Sequence, residues 1–215
     1  MIPWTSINTV LLDMDGTLLD LSFDNYFWLE HLPVRYAEHK SIPEADAREY
    51  LEALSHRLYG SLEWYCVDYW SDDLGLDVHE LKKEVEHLVT MRPHVPEFLA
   101  WLKAQNKEVI LVTNAHPKAL ALKSEASGLH HHLDHFISSH EFELAKENDG
   151  FWQKLVAREN IDLEKSLFID DSLSVLEQAE ASGLGHIVQM LHPDSTLDIR
   201  PKSHFHGIVH FTELM

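Results

Sequence analysis

The sequence predicts an α/β fold, a parallel sheet wrapped by helices, with a separate helical cap inserted early in the chain. Two observations predict it. After Pro93, short β-branched apolar runs alternate with amphipathic segments, which is the grammar of strand–helix–strand units. Before that point, about 70 residues from Leu21 to Met91 hold no comparable run, far more than the dozen or so that a crossover connection needs.

Thr9-Val10-Leu11-Leu12-Asp13 is apolar until its final acid and reads as a buried parallel strand, with a turn at Met14-Asp15-Gly16-Thr17. In the insert, Leu51, Leu54, Leu58, Leu62, Tyr65 and Tyr69 recur at steps of three and four, so they share one helical face. Gly60 interrupts that face and predicts a bend or a division there. Val95, Phe98, Leu99 and Leu102 give a helix that Pro96 suits in its first turn. Glu108–Asn114 is a second buried strand, and a helix over 117–127 stops at Gly128. His135–Ser138 is a third strand, and Phe151, Trp152, Leu155 and Val156 mark a helix over 151–159. Ser166–Asp171 is a fourth strand, followed by a helix over 173–182 with Gly183 as its stop. His186–Met190 and Gly207–Phe211 are expected as edge strands. The expected organisation is therefore a Rossmann-like core of residues 1–20 and 92–215, with a helical cap of residues 21–91.

The bulk numbers narrow the function. The 215 residues carry 45% hydrophobic and 25% charged side chains, the balance of an ordinary globular protein. No apolar stretch approaches the ~20 residues of a membrane span, and Met1-Ile2-Pro3-Trp4-Thr5 lacks the basic region and long apolar run expected of a secretory signal. One cysteine, Cys66, excludes an internal disulfide, so a reducing, cytoplasmic location is expected. A formal charge of −19 repels nucleic acids and anionic membranes, so neither is an expected partner. The same charge means that an anionic substrate would need a local cation. Among the 17 histidines, His130, His131 and His132 are adjacent and cannot all face one ion, so they read as a solvated loop. Composition leaves the oligomeric state open.

In an open parallel sheet, ligands bind at the carboxyl ends of the strands. Three expected strands end there in polar groups: Asp13 with Asp15, Thr113 with Asn114, and Asp170 with Asp171. Four carboxylates on one rim repel one another unless a divalent cation joins them. With neither Cys nor His among those strand-end residues, hard oxygen donors favour Mg2+ over zinc.

Val10-Leu11-Leu12-Asp13-Met14-Asp15-Gly16-Thr17 also resembles the first signature of the haloacid-dehalogenase-like superfamily. Val112-Thr113-Asn114 resembles its second motif and Phe168-Ile169-Asp170-Asp171-Ser172 its acidic fourth motif. The resemblance implies that Asp13 attacks phosphorus and forms an aspartyl-phosphate, while Asp15 protonates the leaving oxygen and then activates water. Mg2+ would take the Asp13 carboxylate, the Asp15 carbonyl and Asp171, with Asp170 an outer or orienting group. Thr113 and the amide of Asn114 would hold phosphoryl oxygens. Lys146 is the candidate for the phosphate-neutralising lysine, although Glu147 follows it in place of the usual proline. Lys118 and Lys123 on the preceding helix are worse placed, and Lys165 lies at the wrong end of its strand. Asp15 favours phosphate-ester chemistry over dehalogenation, since expelling halide needs no acid.

Phe23-Asp24-Asn25-Tyr26-Phe27-Trp28, Trp64-Tyr65-Cys66 and Asp68-Tyr69-Trp70 are similar to segments of the bacterial GMP/IMP nucleotidase branch, where the motif-three lysine is likewise followed by an acid. The implied substrate is a small phosphomonoester, a purine 5′-nucleotide in that branch. Asp24, Asn25, Trp28, Tyr65 and Asp68 are the candidates for contacting its leaving group. The alternatives on the same scaffold are a sugar-phosphate phosphatase and a phosphotransferase or mutase. A binding module that lost catalysis fits poorly with the intact set of Asp13, Asp15, Thr113, Lys146 and Asp171.

Overall fold

The computed structural model describes residues 2–215. Strands β1 (Thr9–Leu12), β2 (Glu108–Thr113), β3 (Phe136–Ser138), β4 (Ser166–Asp170), β5 (His186–Met190) and β6 (His206–Ile208) form one sheet in the order β3-β2-β1-β4-β5-β6. Every pairing is parallel. Strand order reverses at β1, which lies between β2 and β4, and that reversal opens a crevice at the strands' carboxyl ends.

Because side chains alternate along a strand, consecutive residues of β1 feed opposite faces. Val10 and Leu12 join one apolar cluster with Leu111, Leu167 and Ile169. Leu11 joins the other with Ile110, Val112 and Phe168. The first face is covered by α7 (Val95–Ala104) and α8 (Pro117–Ser127), through Phe98, Leu102 and Leu122. The second is covered by α9 (Phe151–Glu159) and α10 (Leu173–Ala181), through Phe151, Trp152 and Leu176. Side chains of this kind contribute roughly 1.5–3 kcal/mol each on full burial, so burial on both faces drives the three-layer arrangement.

Between β1 and β2 run α1 (Ser22–Tyr26), a π-helical stretch (Phe27–His31), α2 (Leu32–Lys40), α3 (Glu44–Leu58), α4 (Leu62–Tyr65), α5 (Val67–Leu74) and α6 (Val78–Glu84). The expected apolar face is divided at the expected place. α3 ends at Leu58, and Gly60 takes φ +81°, a left-handed conformation that glycine adopts without steric cost. The insert's Phe23, Phe27, Leu54 and Trp70 join the same apolar cluster as Val10 and Leu12, so the insert's core is continuous with the apolar layer on that side of the sheet.

Two expectations are corrected at the carboxyl-terminal side. β5 pairs on both sides, with β4 and β6, and is not an edge. The last strand is His206–Ile208 rather than 207–211, because Phe211 turns inward in a short 3-10 helix and stacks on Phe98 with ring centroids 4.6 Å apart. His130, His131 and His132 are exposed. Among the described residues, no helix is long and apolar enough to cross a membrane.

Candidate active site

β1, β2 and β4 end side by side, and their ends carry Asp13, Thr113 and Asp170. Lys146 reaches into them from the loop between β3 and α9. Its Nζ donates to Asp13 Oδ1 at 2.5 Å, to Asp170 Oδ2 at 2.7 Å and to the Val112 carbonyl at 3.0 Å. Only 2% of the Lys146 residue is exposed, so the ammonium is held by its partners rather than by water. Burial works against its charge, but Asp13 and Asp170 win and raise its pKa. The expected lysine thus lies between the expected nucleophile and a motif-four acid.

A second ionic chain begins at Asp15. Lys123 Nζ lies 2.8 Å from Asp15 Oδ1 and 2.6 Å from Asp24 Oδ2, and Lys82 Nζ donates to Asp24 Oδ1 at 3.0 Å. Both lysines are buried. The Lys82 ammonium also sits over the rings of Phe27 at 4.1 Å and Trp28 at 5.0 Å. Burial tends to raise the Asp24 pKa, but Lys123 and Lys82 hold it down at about 2. Burial opposes the charge on Lys123, yet Asp15 and Asp24 hold its pKa up at about 12.

Asn114 spends its side chain on the Lys146 loop: Oδ1 accepts from the Lys146 backbone N–H at 2.8 Å, and Nδ2 donates to Glu147 Oε2 at 2.8 Å. Tyr65, from the insert, donates its hydroxyl to Glu147 Oε1 at 2.8 Å. The acid after Lys146 therefore joins the insert to the end of β2. Thr113 Oγ accepts from the Ala115 N–H at 3.0 Å, which leaves its hydroxyl proton to donate elsewhere.

The remaining insert candidates are dispersed. Both oxygens of Asp24 are taken by lysines. Asn25 donates to Asp194 Oδ2 at 2.6 Å. Trp28 packs on Trp70 with centroids 4.8 Å apart. Asp68 is exposed and accepts from Lys118 Nζ at 2.6 Å across the seam to α8.

Residues 7–183 match the family described as haloacid dehalogenase-like hydrolase. The chain belongs to the haloacid dehalogenase-like hydrolases. It is 42% identical over 194 residues to the GMP/IMP nucleotidase YrfG of Escherichia coli (strain K12), covering 90% of this chain and 87% of the relative. It is 23% identical over 196 residues to a phosphorylated carbohydrates phosphatase of Thermotoga maritima, covering 86% of each. Its fold is similar to the crystal structure of a HAD phosphatase from Thermococcus onnurineus, with a TM-score of 0.78 at 21% identity over 97% of this chain and 96% of that one.

In this haloacid dehalogenase-like hydrolase, carboxylate oxygens of Asp13, Asp170 and Asp171 lie within 4.8 Å of one another. Burial, reinforced by mutual repulsion, pushes Asp13 and Asp171 up to about 7 and Asp170 up to about 6. A site that strains three carboxylates in this way, with oxygen donors only, suits a hard divalent cation. Asp170 already accepts on both oxygens, from Lys146 and from the Ser172 N–H at 2.8 Å. Asp171 gives one oxygen to Arg200 Nη1 at 2.9 Å and keeps the other toward Gly16.

Four side chains of this candidate site were not among the residues expected in it. Lys82 and Lys123 bear on Asp24 and Asp15, Glu147 on Tyr65 and Asn114, and Arg200 on Asp171. For the lysines there was a signal: Lys82 follows Val78 by four positions and Lys123 follows Ala119 by four, so each is a charge on a core-facing helical stripe. Arg200 lies in an irregular tail, where no periodicity gives such a warning.

Proposed function

We propose that this enzyme hydrolyses small phosphomonoesters, with purine 5′-nucleotides such as GMP and IMP as substrates. The observation that carries the reading is the Lys146 ammonium bridging Asp13 and Asp170 at the carboxyl end of β1. It orients the Asp13 carboxylate by one oxygen and offers positive charge to a bound phosphate. The 42% identical relative named for GMP and IMP supports the choice of substrate.

The free oxygen of Asp13 attacks phosphorus, and the ester P–O bond breaks to give an aspartyl-phosphate. Asp15 gives a proton to the departing alkoxide, then takes one from water as that water attacks phosphorus and frees the Asp13 carboxylate. Burial, with the charges of Asp24 and Asp13, raises the Asp15 pKa to about 6 against the pull of Lys123, which suits a group that both donates and accepts near neutrality. Thr113 and the Asn114 amide hold phosphoryl oxygens. Asp13, Asp171 and the Asp15 carbonyl would hold Mg2+, with Asp170 orienting Lys146. The cation supplies positive charge that lets these carboxylates and a phosphate share one cleft. Residues 21–91 act as a cap over residues 1–20 and 92–215 and exclude water from the cleft, with Tyr65 joined through Glu147 to the phosphate-binding end of β2. Asp24 acts from behind, by fixing Lys123 beside Asp15.

Phosphate release from GMP, IMP, AMP, a pyrimidine nucleotide, FMN and sugar phosphates tests this, with Mg2+, with EDTA and with Asp13→Asn. The expected result is Mg2+-dependent release that is greatest from GMP and IMP and absent in the variant. Release from sugar phosphates alone would overturn the substrate and keep the chemistry. Label passed to a sugar acceptor with little free phosphate would mean a phosphotransferase. Release by a folded Asp13→Asn protein would remove Asp13 as nucleophile.

A further inference from the structure

A second cluster of ligand-bearing side chains lies at the seam between the insert and the sheet. Cys66 stands between α4 and α5, His116 caps α8, and His140 follows β3. The Cys66 sulfur and one ring nitrogen from each histidine lie within 4.8 Å of one another, and all three residues are half-buried. The imidazoles meet edge to face, with centroids 5.0 Å apart.

Each member is already oriented. Cys66 Sγ accepts from the Tyr69 N–H at 3.4 Å, which fixes the sulfur at the N-terminus of the helix it caps. His140 Nε2 is buried without a hydrogen-bond partner. A ring nitrogen that is buried and unpartnered is open to serve as a metal ligand. His116 Nδ1 faces the Lys118 N–H at 3.3 Å, and its Nε2 lies 3.6 Å from Asp68 Oδ2. An unpartnered buried nitrogen is costly to keep, and a metal ion would relieve that cost.

We propose that Cys66, His116 and His140 form a second metal site, for a borderline-soft transition ion such as Zn2+, which fastens the helical insert to the sheet. The donor set differs from the all-oxygen set at Asp13, Asp170 and Asp171 in the way that separates zinc from magnesium. Tetrahedral zinc, with Zn–S near ~2.3 Å and Zn–N near ~2.0 Å, sets its ligand atoms roughly 3.5 Å apart, so small side-chain rotations from the observed spacing close the site. Water or Asp68 completes the fourth position. Since Tyr65, which precedes Cys66, shares Glu147 with Asn114, and His116 follows Asn114 by two residues, the ion would sit beside the phosphate-binding end of β2 and restrain the insert there.

The single cysteine makes the test clean. The full chain, stripped with chelator and then saturated with Mg2+ to fill the carboxylate site, is titrated with Co2+ and separately with Zn2+. A thiolate-to-cobalt charge-transfer band that saturates at one equivalent and is displaced by Zn2+ is expected. Zn2+ affinity, read against a chromophoric chelator, is expected to fall at least ~10-fold in Cys66→Ser and in His140→Asn, on the scale of disrupting a metal's ligand environment. Serine preserves the cap on α5, and His140→Asn lies on a different element, so a folding defect in one variant leaves the other to decide. Zn2+ is also expected to raise the melting temperature of the wild type and not of Cys66→Ser. No thiolate band, or equal Zn2+ affinity in wild type and both variants, overturns the proposal.

Discussion

Asp24→Asn separates two roles for Asp24, an acceptor that reads a substrate base and an anion that holds two buried lysines. In the structure both its oxygens are occupied, by Lys82 Nζ at 3.0 Å and Lys123 Nζ at 2.6 Å. Its pKa is lowered from 3.8 to about 2. Because the folded-state value is depressed, the unfolded chain binds more protons between those two values. The stabilisation is therefore complete above about pH 4 and is lost as pH falls toward about 2. At 1.36 kcal/mol per pKa unit, a shift of that size corresponds to about 2 kcal/mol. Neutralising Asp24 also leaves Lys82 buried without its anion, and breaking a buried pair costs roughly 3–5 kcal/mol. A loss of about 2–4 kcal/mol is expected, equivalent to a melting temperature lower by roughly 5–15 °C for a chain of this size. Denaturant unfolding at pH 7 and 8 measures it, above both Asp24 values and above the value of about 6 to which the Asp24 charge helps raise Asp15, so the difference between proteins should be constant over that window. Lys82→Met alone should also destabilise, and the double variant should lose less than the sum of the two. A loss under about 0.5 kcal/mol in Asp24→Asn, with a raised KM for GMP, would refute the structural role and restore base recognition.

Lys146→Ala should lower kcat/KM more than ~10-fold, since it removes charge-assisted bonds to the nucleophile and to phosphate; a near-wild-type rate would exclude it from the reaction. Gly16→Ala should weaken Mg2+ activation and lower stability by roughly 1–3 kcal/mol. Gly16 has φ +85°, and a Cβ there would fall 2.8 Å from Asp171 Cγ and 2.9 Å from Pro193 Cβ; an unchanged Mg2+ dependence would refute this packing. His140 is held at about 4, below its usual 6.5, chiefly by burial and then by His116. With metal removed, its neutral form favours the folded state fully above pH 6.5, and that advantage declines as pH falls toward 4, where the unfolded chain is already protonated. For a half-buried group this is worth about 1 kcal/mol after discounting the shift for solvent screening. The fall in stability between pH 7 and 5 should be smaller in His140→Asn, and equal slopes would remove His140 as its source.

The sequence determined by itself the elements whose signals are local. Strand β1 and helix α9 needed only a run of apolar residues or a repeating face, and Gly60 and Gly128 marked breaks because a left-handed backbone favours glycine there. Asp13, Asp15, Thr113, Asp170 and Asp171 were legible as a set because each follows an apolar strand, and parallel strands place their carboxyl ends on one rim. What only the tertiary structure decided is which charges meet. Lys146 is 133 residues from Asp13, and Lys123 is 99 from Asp24. Nothing in the local pattern of either lysine names its partner. The insert shows the same limit, because Asp24 and Tyr65 carry donors and acceptors that suit a ligand, yet packing commits them to Lys82, Lys123 and Glu147. The tail after Met190 carries no site motif, but folding brings Asp194 to Asn25 and Arg200 to Asp171. Periodicity records how a segment buries its own apolar face, whereas ion pairs form between whatever polar groups that burial happens to enclose together.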